Sequence, residues 1–351
     1  MDSRQREKIV GITAVSALAV LVVVGMIQTY GSRQAGPLLA LSTEPEAVMG
    51  TSCRLTAVIS GHVRERGLLA LREAEESLRR VEMMMSSWLE GSEISRFNAA
   101  GAGRKSPLSP ESLHVLDAAR AAYNETGGAF DITIDPLIAL WRGAAERGTV
   151  PDADAVRAAR AASSWNLIEL LPDAAVKLSP DARVDLGGIA KGYAIDLAVE
   201  AMRQAGVEGG LVDVGGDLRI FGSPPDGGLW EVEVRDPFRA GRLGRIGIPS
   251  GAVCTSGNYS RFFETGGVRY SHIIDPRSGM PSSPVASATV VSDTAERGDI
   301  WATALSVLGR EGMERLPEGM EAFLVVGDEK NYQLLMTPGF EDILLERPEI
   351  R

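Results

Sequence analysis

Positive charge is scarce in this chain. Lysine and arginine together number 36 against 47 aspartates and glutamates, a formal net charge of −11 over 351 residues. That balance argues against a nucleic-acid partner held through phosphate contacts, which need basic side chains to displace counterions, although it leaves room for a local basic pocket. Cysteine is nearly absent as well. The two present, Cys53 and Cys254, are compatible with one disulfide in an oxidising compartment or with two buried free thiols. Only three histidines occur, so each can be weighed singly as an acid–base group. His62 lies in a polar turn and reads as surface, His114 falls in a helical pattern with an ordinary role, and His272 precedes an Ile-Ile-Asp-Pro run that reads as a strand entering a turn. Internal repeats are missing. So are low-complexity tracts, apart from an Ala/Arg-rich stretch at 152–162 that reads as a solvated surface helix.

One long apolar run is present. From Ile9 to Ile27 there is no charge, and Arg4, Arg6 and Lys8 precede it. A span of about 20 apolar residues crosses a bilayer. The basic flank places residues 1–8 in the cytoplasm and sends the rest of the chain to the other side. The run exceeds a usual signal-peptide core, and Gln28 to Arg33 offers no small-x-small cleavage site, so an uncleaved single-pass anchor in the cytoplasmic membrane is expected. Residues 28–46 read as a polar linker, and the folded domain is expected over 47–351, on the periplasmic or extracytoplasmic side.

Within that domain, apolar residues at helical spacing predict amphipathic helices over 68–85 and 113–126. Short strands are predicted at 165–170, 175–178 and 182–185, then a helix to about 205, then strands at 210–214, 230–234, 244–248 and 287–292. Helix and strand mix without a regular βαβ beat, which favours α+β over a doubly wound sheet.

The stretch Val184-Asp185-Leu186-Gly187-Gly188-Ile189-Ala190-Lys191-Gly192 sets a carboxylate, a glycine turn and a lysine at the start of a predicted helix. Paired glycines let backbone N–H groups approach an anion closely, and the positive end of the helix would face it. Farther on, Asp299 and Thr303 are spaced i,i+4, so both oxygens project from one helix face. Hard oxygens suit Mg²⁺, which takes few protein ligands and fills its shell with water and substrate phosphates.

These blocks resemble the ApbE family of FAD:protein FMN transferases. The similarity runs in order through Met49-Gly50-Thr51, Met85-Ser86-Ser87-Trp88, Ser92-Glu93-Ile94-Ser95-Arg96-Phe97-Asn98, Gly128-Ala129-Phe130-Asp131-Ile132-Thr133 and the Asp185–Lys191 stretch. It continues through Val214-Gly215-Gly216-Asp217, Thr255-Ser256-Gly257-Asn258-Tyr259, Ser271-His272-Ile273-Ile274-Asp275-Pro276-Arg277 and Asp299-Ile300-Trp301-Ala302-Thr303. The resemblance implies an ApbE-like α+β fold of two closely packed mixed subdomains, with flavin and metal between them. It implies FAD as substrate and Mg²⁺ as cofactor, with FMN passing to a threonine hydroxyl of a target flavoprotein and AMP released. Water in place of the acceptor would make the same site an FAD pyrophosphatase, and a flavin-binding module without turnover is the non-catalytic alternative. Family acceptors are flavoprotein subunits, including those of Rnf- and Nqr-type complexes.

By the same resemblance Gly188 (through its carbonyl), Asp299 and Thr303 hold the metal. Met49, Trp88, Ala129, Phe130, Asp131, Asp185, Lys191, Ser256 and Ile273 line the flavin site, while His272 and Asp275 serve catalysis. Two departures stand out. Trp88 replaces a frequent tyrosine, and no cysteine before Cys53 is available for the lipoprotein tether that many relatives carry.

Overall fold

The computed structural model describes residues 37–61, 64–257, 262–265, 268–282 and 285–348. The apolar run at 9–27, its basic flank and His62 lie outside them. Among the described residues no helix is long and apolar enough to cross a membrane.

An eight-stranded sheet forms the centre. Its strands are β1 (Leu38–Thr43), β2 (Cys53–Ser60), β3 (Gly209–Val214), β4 (Asp217–Gly222), β5 (Gly251–Gly257), β6 (Val285–Ser292), β7 (Glu321–Asp328) and β8 (Asn331–Met336). Their order across the sheet is their order along the chain. Every neighbouring pair is antiparallel. The sheet is therefore a meander, with most of the other elements inserted between adjacent strands and Leu344–Glu346 following the last. That explains the missing βαβ beat, since antiparallel neighbours need no crossover helix.

Alternation along the strands sorts side chains to two faces. Leu55, Ala57 and Ile59 of β2 and Ala252 and Cys254 of β5 join the larger core, whereas Val58 and Val253 face the other way. Three helices cover the first face: α1 (Arg64–Met85), α6 (Ala190–Gln204) and α7 (Ala295–Leu308). On α1 the buried residues Gly67, Ala70, Leu71, Ala74, Leu78, Val81 and Met85 follow the 3–4 spacing of one helix stripe. The second face packs on a three-stranded sheet of Trp230–Arg235, Arg242–Ile248 and Leu344–Glu346. Trp230–Arg235 alternates strictly between buried and exposed, as a strand with one wet face should.

Four further helices lie between α1 and α6 in sequence: α2 (Glu93–Ala99), α3 (Pro110–Glu125), α4 (Asp135–Glu146) and α5 (Ala153–Ala162). A smaller core of Leu137, Trp141, Val156 and Ile274 joins α4 and α5 to the 270–281 segment, and Trp141 Nε1 donates to the Gly279 carbonyl at 2.9 Å. The fold is thus α+β, as expected.

Two local expectations are corrected. Part of the segment read as linker, Leu38–Thr43, is the edge strand β1, paired with β2 throughout. Residues 182–185 are not a strand. The Val184 backbone is paired with a side chain instead: Asn98 donates from Nδ2 to the Val184 carbonyl and accepts the Val184 N–H at Oδ1, both at 2.8 Å. The cysteines, buried in β2 and β5, are free thiols.

Candidate active site

The chain converges at the N-terminal end of α6. Before that helix, Asp185 N donates to the Ile132 carbonyl at 2.8 Å, fixing the glycine turn against the 128–133 segment. Asp185 Oδ1 accepts the Gly187 N–H at 2.9 Å and Oδ2 lies 3.4 Å from Ser87 Oγ, which brings the Trp88 loop alongside. Trp88 is 73 % exposed, with the Arg142 guanidinium 4.7 Å from its ring centroid. A ring so placed is available to a planar ligand.

Helices α6 and α7 touch closely here. A Cβ on Gly192 would stand 2.3 Å from the Ala295 carbonyl oxygen, so only glycine permits the approach. Gly192 N–H donates to Asp299 Oδ2 at 3.2 Å, while Asp196 of α6 accepts the Ala295 and Glu296 N–H groups at 2.8 and 2.9 Å. Asp196 thus joins Thr294 in capping α7 and sets the depth of Asp299 and Thr303.

Lys191 reaches back between two carboxylates. Its Nζ bonds Asp217 Oδ2 and lies 3.5 Å from Asp299 Oδ2. The Gly215-Gly216 hairpin, with φ of 69° and 95°, delivers Asp217 to the first position of β4, where its Oδ1 also accepts the Thr255 N–H at 2.9 Å. Burial pushes the Asp299 carboxyl up to about 6, with Lys191 pulling the other way. Burial alone would lower Lys191, but Asp217 first and Asp299 next hold its ammonium above the ordinary lysine value.

Thr303 Oγ1 lies 3.3 Å from Ser256 Oγ and next to Gly188, whose Cβ would stand 2.8 Å from that oxygen and 3.1 Å from Phe130 Cε2. Asp185, Gly188, Lys191, Ser256, Asp299, Thr303 and Phe130 therefore form one cluster. Ala129 and Phe130 are buried. Met49 is held in a tight Val48–Thr51 turn at φ 52°, an uncommon conformation for a side-chain-bearing residue, beside the Gly215 hairpin.

The arrangement fits a hard cation. No group of three His, Cys, Asp or Glu gathers among the described residues. The cluster offers one carboxylate, one hydroxyl and a backbone segment, the sparse oxygen set that Mg²⁺ accepts when phosphates complete its shell. The hydrogen bond and ion pair of Asp299 fall on Oδ2, so Oδ1 is the oxygen a cation would take.

Asp131 stands to one side, accepting the Thr133 N–H and Oγ1 at 2.8 Å each, and burial raises its carboxyl to about 6. It lines a cavity of about 520 Å³ together with Arg157, Arg160 and Arg277. Arg277 and the neighbouring Pro276 bring the 271–281 segment to this cavity. There His272 is half-buried and Ile273 packs against the larger core. Asp275 accepts from Arg277 Nε and Nη2 at 2.9 Å each and from its backbone N–H, so this carboxylate anchors a turn. His114 bonds Glu296 at 3.0 Å on the outer side of α7.

Sequence reasoning left Asn98, Asp196 and Arg142 without a role. Asn98 sits inside a quoted motif, and that was its one signal; Asp196 and Arg142 act only across folded distance.

A meandering sheet whose helical layer gathers an oxygen-rich, lysine-bearing cluster at the start of α6 is an α+β architecture seen in solved proteins. The model of the ApbE family matches residues 49–324, and the chain belongs to that family. A Klebsiella pneumoniae (strain 342) protein named FAD:protein FMN transferase is 30 % identical over 308 residues, covering 85 % of this chain and 87 % of its own. A Vibrio cholerae protein of the same name is 34 % identical over 244 residues, 68 % of this chain and 73 % of its own. Among solved structures, the ApbE protein of Thermotoga maritima superposes with TM-score 0.79 at 28 % identity, covering 87 % of this chain and 99 % of that one. The flavin transferase ApbE from Vibrio cholerae gives 0.76 at 27 %, covering 88 % and 100 %.

Proposed function

We propose that the chain is a flavin transferase that moves the FMN half of FAD onto a threonine hydroxyl of a target flavoprotein and releases AMP, with Mg²⁺ as cofactor. The hydroxyl oxygen bonds to the FMN-side phosphorus, the bond from that phosphorus to the bridging oxygen breaks, AMP takes the bridging oxygen, and the hydroxyl proton passes to a base. Transfer of this kind depends on positioning and charge neutralisation rather than on a covalent enzyme intermediate. The observation that carries this reading is the meeting of Gly188, Asp299 and Thr303 beside Lys191 at the start of α6.

Asp299, Thr303 and the Gly188 carbonyl would hold Mg²⁺, which when bound supplies Lewis-acid neutralisation of pyrophosphate charge. Lys191, kept protonated by its two carboxylates, adds fixed positive charge for phosphate oxygens. Trp88 offers its open face to a planar ring of the dinucleotide, and the buried Phe130 closes the site behind Gly188. His272 is the group assigned to take the acceptor proton. Asp299→Ala should abolish Mg²⁺-dependent AMP release; full release by that variant at ordinary Mg²⁺ would overturn the metal assignment.

We further propose that residues 9–27 anchor the protein in the cytoplasmic membrane, with the domain on the extracytoplasmic side, where flavoprotein subunits of Rnf- or Nqr-like respiratory complexes would be the acceptors. A reporter fused after Arg351 should be active only outside the cytoplasm. Cytoplasmic activity of an intact membrane-bound fusion would refute the orientation.

A further inference from the structure

Three elements run between the active site and the opposite end of the domain. Helix α1 starts at Arg64 and finishes at Met85, and the Ser87 that follows touches Asp185. Helix α6 runs back the other way, from Lys191 in the site to Gln204, and Arg66 of α1 meets it there by donating to the Gly206 carbonyl at 3.3 Å. Strand β1 starts at Leu38, opposite Ser60, and finishes at Thr43, a short step before Met49. The far end of the domain therefore holds the point where the chain enters at Pro37, and the site lies one helix length away. The 22 residues of α1 span about 33 Å and the 15 of α6 about 22 Å.

That far end carries three exposed leucines beside the exposed Arg64, Glu65 and Arg66 of the first turn of α1. Leu39 is 48 % exposed, Leu68 51 % and Leu69 38 %. Leu39 lies beside Gly61, just before α1, and one pleat along the same strand face Leu41 reaches Gly67, next to Leu68. Only residues 28–36 separate Ile27 from Pro37, a tether that reaches at most about 30 Å when fully extended and far less as a flexible coil.

We propose that Leu39, Leu68 and Leu69 form a foot that rests in the bilayer interface, so that α1 and α6 stand upright and present the flavin site one helix length above the membrane. The inference rests on the anchor proposed above. Its partner is the lipid surface itself: leucines that leave water for the acyl boundary contribute in proportion to the apolar area they bury. A tether too short to let the domain roam keeps the foot at the surface at high effective concentration. An acceptor threonine would then have to stand about 20 to 30 Å off the membrane plane, which sets the class of acceptor as a domain raised on its own membrane segment rather than a residue at the interface.

The test uses the full chain in phosphatidylcholine vesicles. Both native cysteines are buried, so Leu68→Cys or Glu90→Cys, the latter on the exposed loop beside Trp88, gives a single reactive site for an environment-sensitive fluorophore. With nitroxide-labelled lipid in the vesicles, the label at position 68 should lose most of its emission and the label at 90 should keep it. A vesicle-bound protein with position 68 unquenched, or with both positions equally quenched, overturns the upright foot while leaving the anchor intact. Burial of the 68 label that grows with protein concentration and ignores the nitroxide would assign the patch to a second copy of the chain, also overturning it. A full chain that does not sediment with vesicles removes the anchor and this inference together. The Leu68→Glu/Leu69→Glu variant should weaken quenching at a label placed on residue 39 while AMP release with a soluble acceptor stays unchanged.

Discussion

Thr303 Oγ1 stands 2.8 Å from the position a Cβ on Gly188 would take, so the glycine turn before α6 and the middle of α7 are in contact through the oxygen assigned to the metal. The backbone of Gly188 does not occupy the left-handed region, and the requirement for glycine here is one of space.

Gly188→Ala should therefore fold and fail. The added methyl meets Thr303 and Phe130, an overpacking that costs about 1–3 kcal/mol. Thermal melting should show a loss of that size, and calorimetric titration should show weakened Mg²⁺ binding in the presence of FAD. Wild-type metal affinity would separate Gly188 from the metal site.

Lys191→Met should be among the most destabilising single changes on this face. It leaves Asp217 and Asp299 buried without their shared cation, and breaking a buried pair costs about 3–5 kcal/mol. Adding Asp217→Asn should restore part of the loss. Urea unfolding of the single and double variants measures both, and a double variant no more stable than the single one would contradict the account.

Which parts of this were legible in the chain follows from range. Helix α1 was readable because its buried stripe repeats within a turn, and the pairing of Asp299 with Thr303 because four residues make one helical step. The ion pair of Lys191 with Asp217 was not readable as such, since a β-hairpin 26 residues later supplies the partner. Residues 182–185 looked like a strand because their composition suits extended backbone, but they pair with no strand. The Val184 backbone is paired instead by Asn98, 86 residues away, which no local pattern reveals. The edge strand β1 hid in a polar-looking segment because an edge with one exposed side tolerates Ser and Thr. Trp88, expected at the flavin site rather than in the core, faces solvent.

Asp131 should make the fold pH-dependent. Burial places its folded carboxyl at about 6, above the ordinary aspartate value of 3.8, so between those values the folded state holds a proton that the unfolded state has released. The sign follows: its contribution is most favourable below about pH 4, declines as pH rises to about 6, and is level above that. The span corresponds to on the order of 3 kcal/mol. Asp131→Asn should flatten the stability profile by that difference between pH 4 and 7 in urea unfolding, and an unchanged slope would remove Asp131 as the source.

His272→Ala should keep FAD affinity and slow transfer by roughly 10²- to 10⁴-fold, the usual contribution of a general base. Single-turnover rates at saturating FAD and acceptor measure it. An unchanged rate would make the residue structural, and a parallel loss of FAD binding would place it in the flavin site instead.

The central claim is covalent transfer, and the most direct measurement is the mass of an acceptor domain after incubation with the full chain, FAD and Mg²⁺. Covalent transfer gives an FMN adduct on a threonine, AMP released in equal amount, and neither product with Asp299→Ala. Conversion of FAD to FMN and AMP with the acceptor mass unchanged would contradict it.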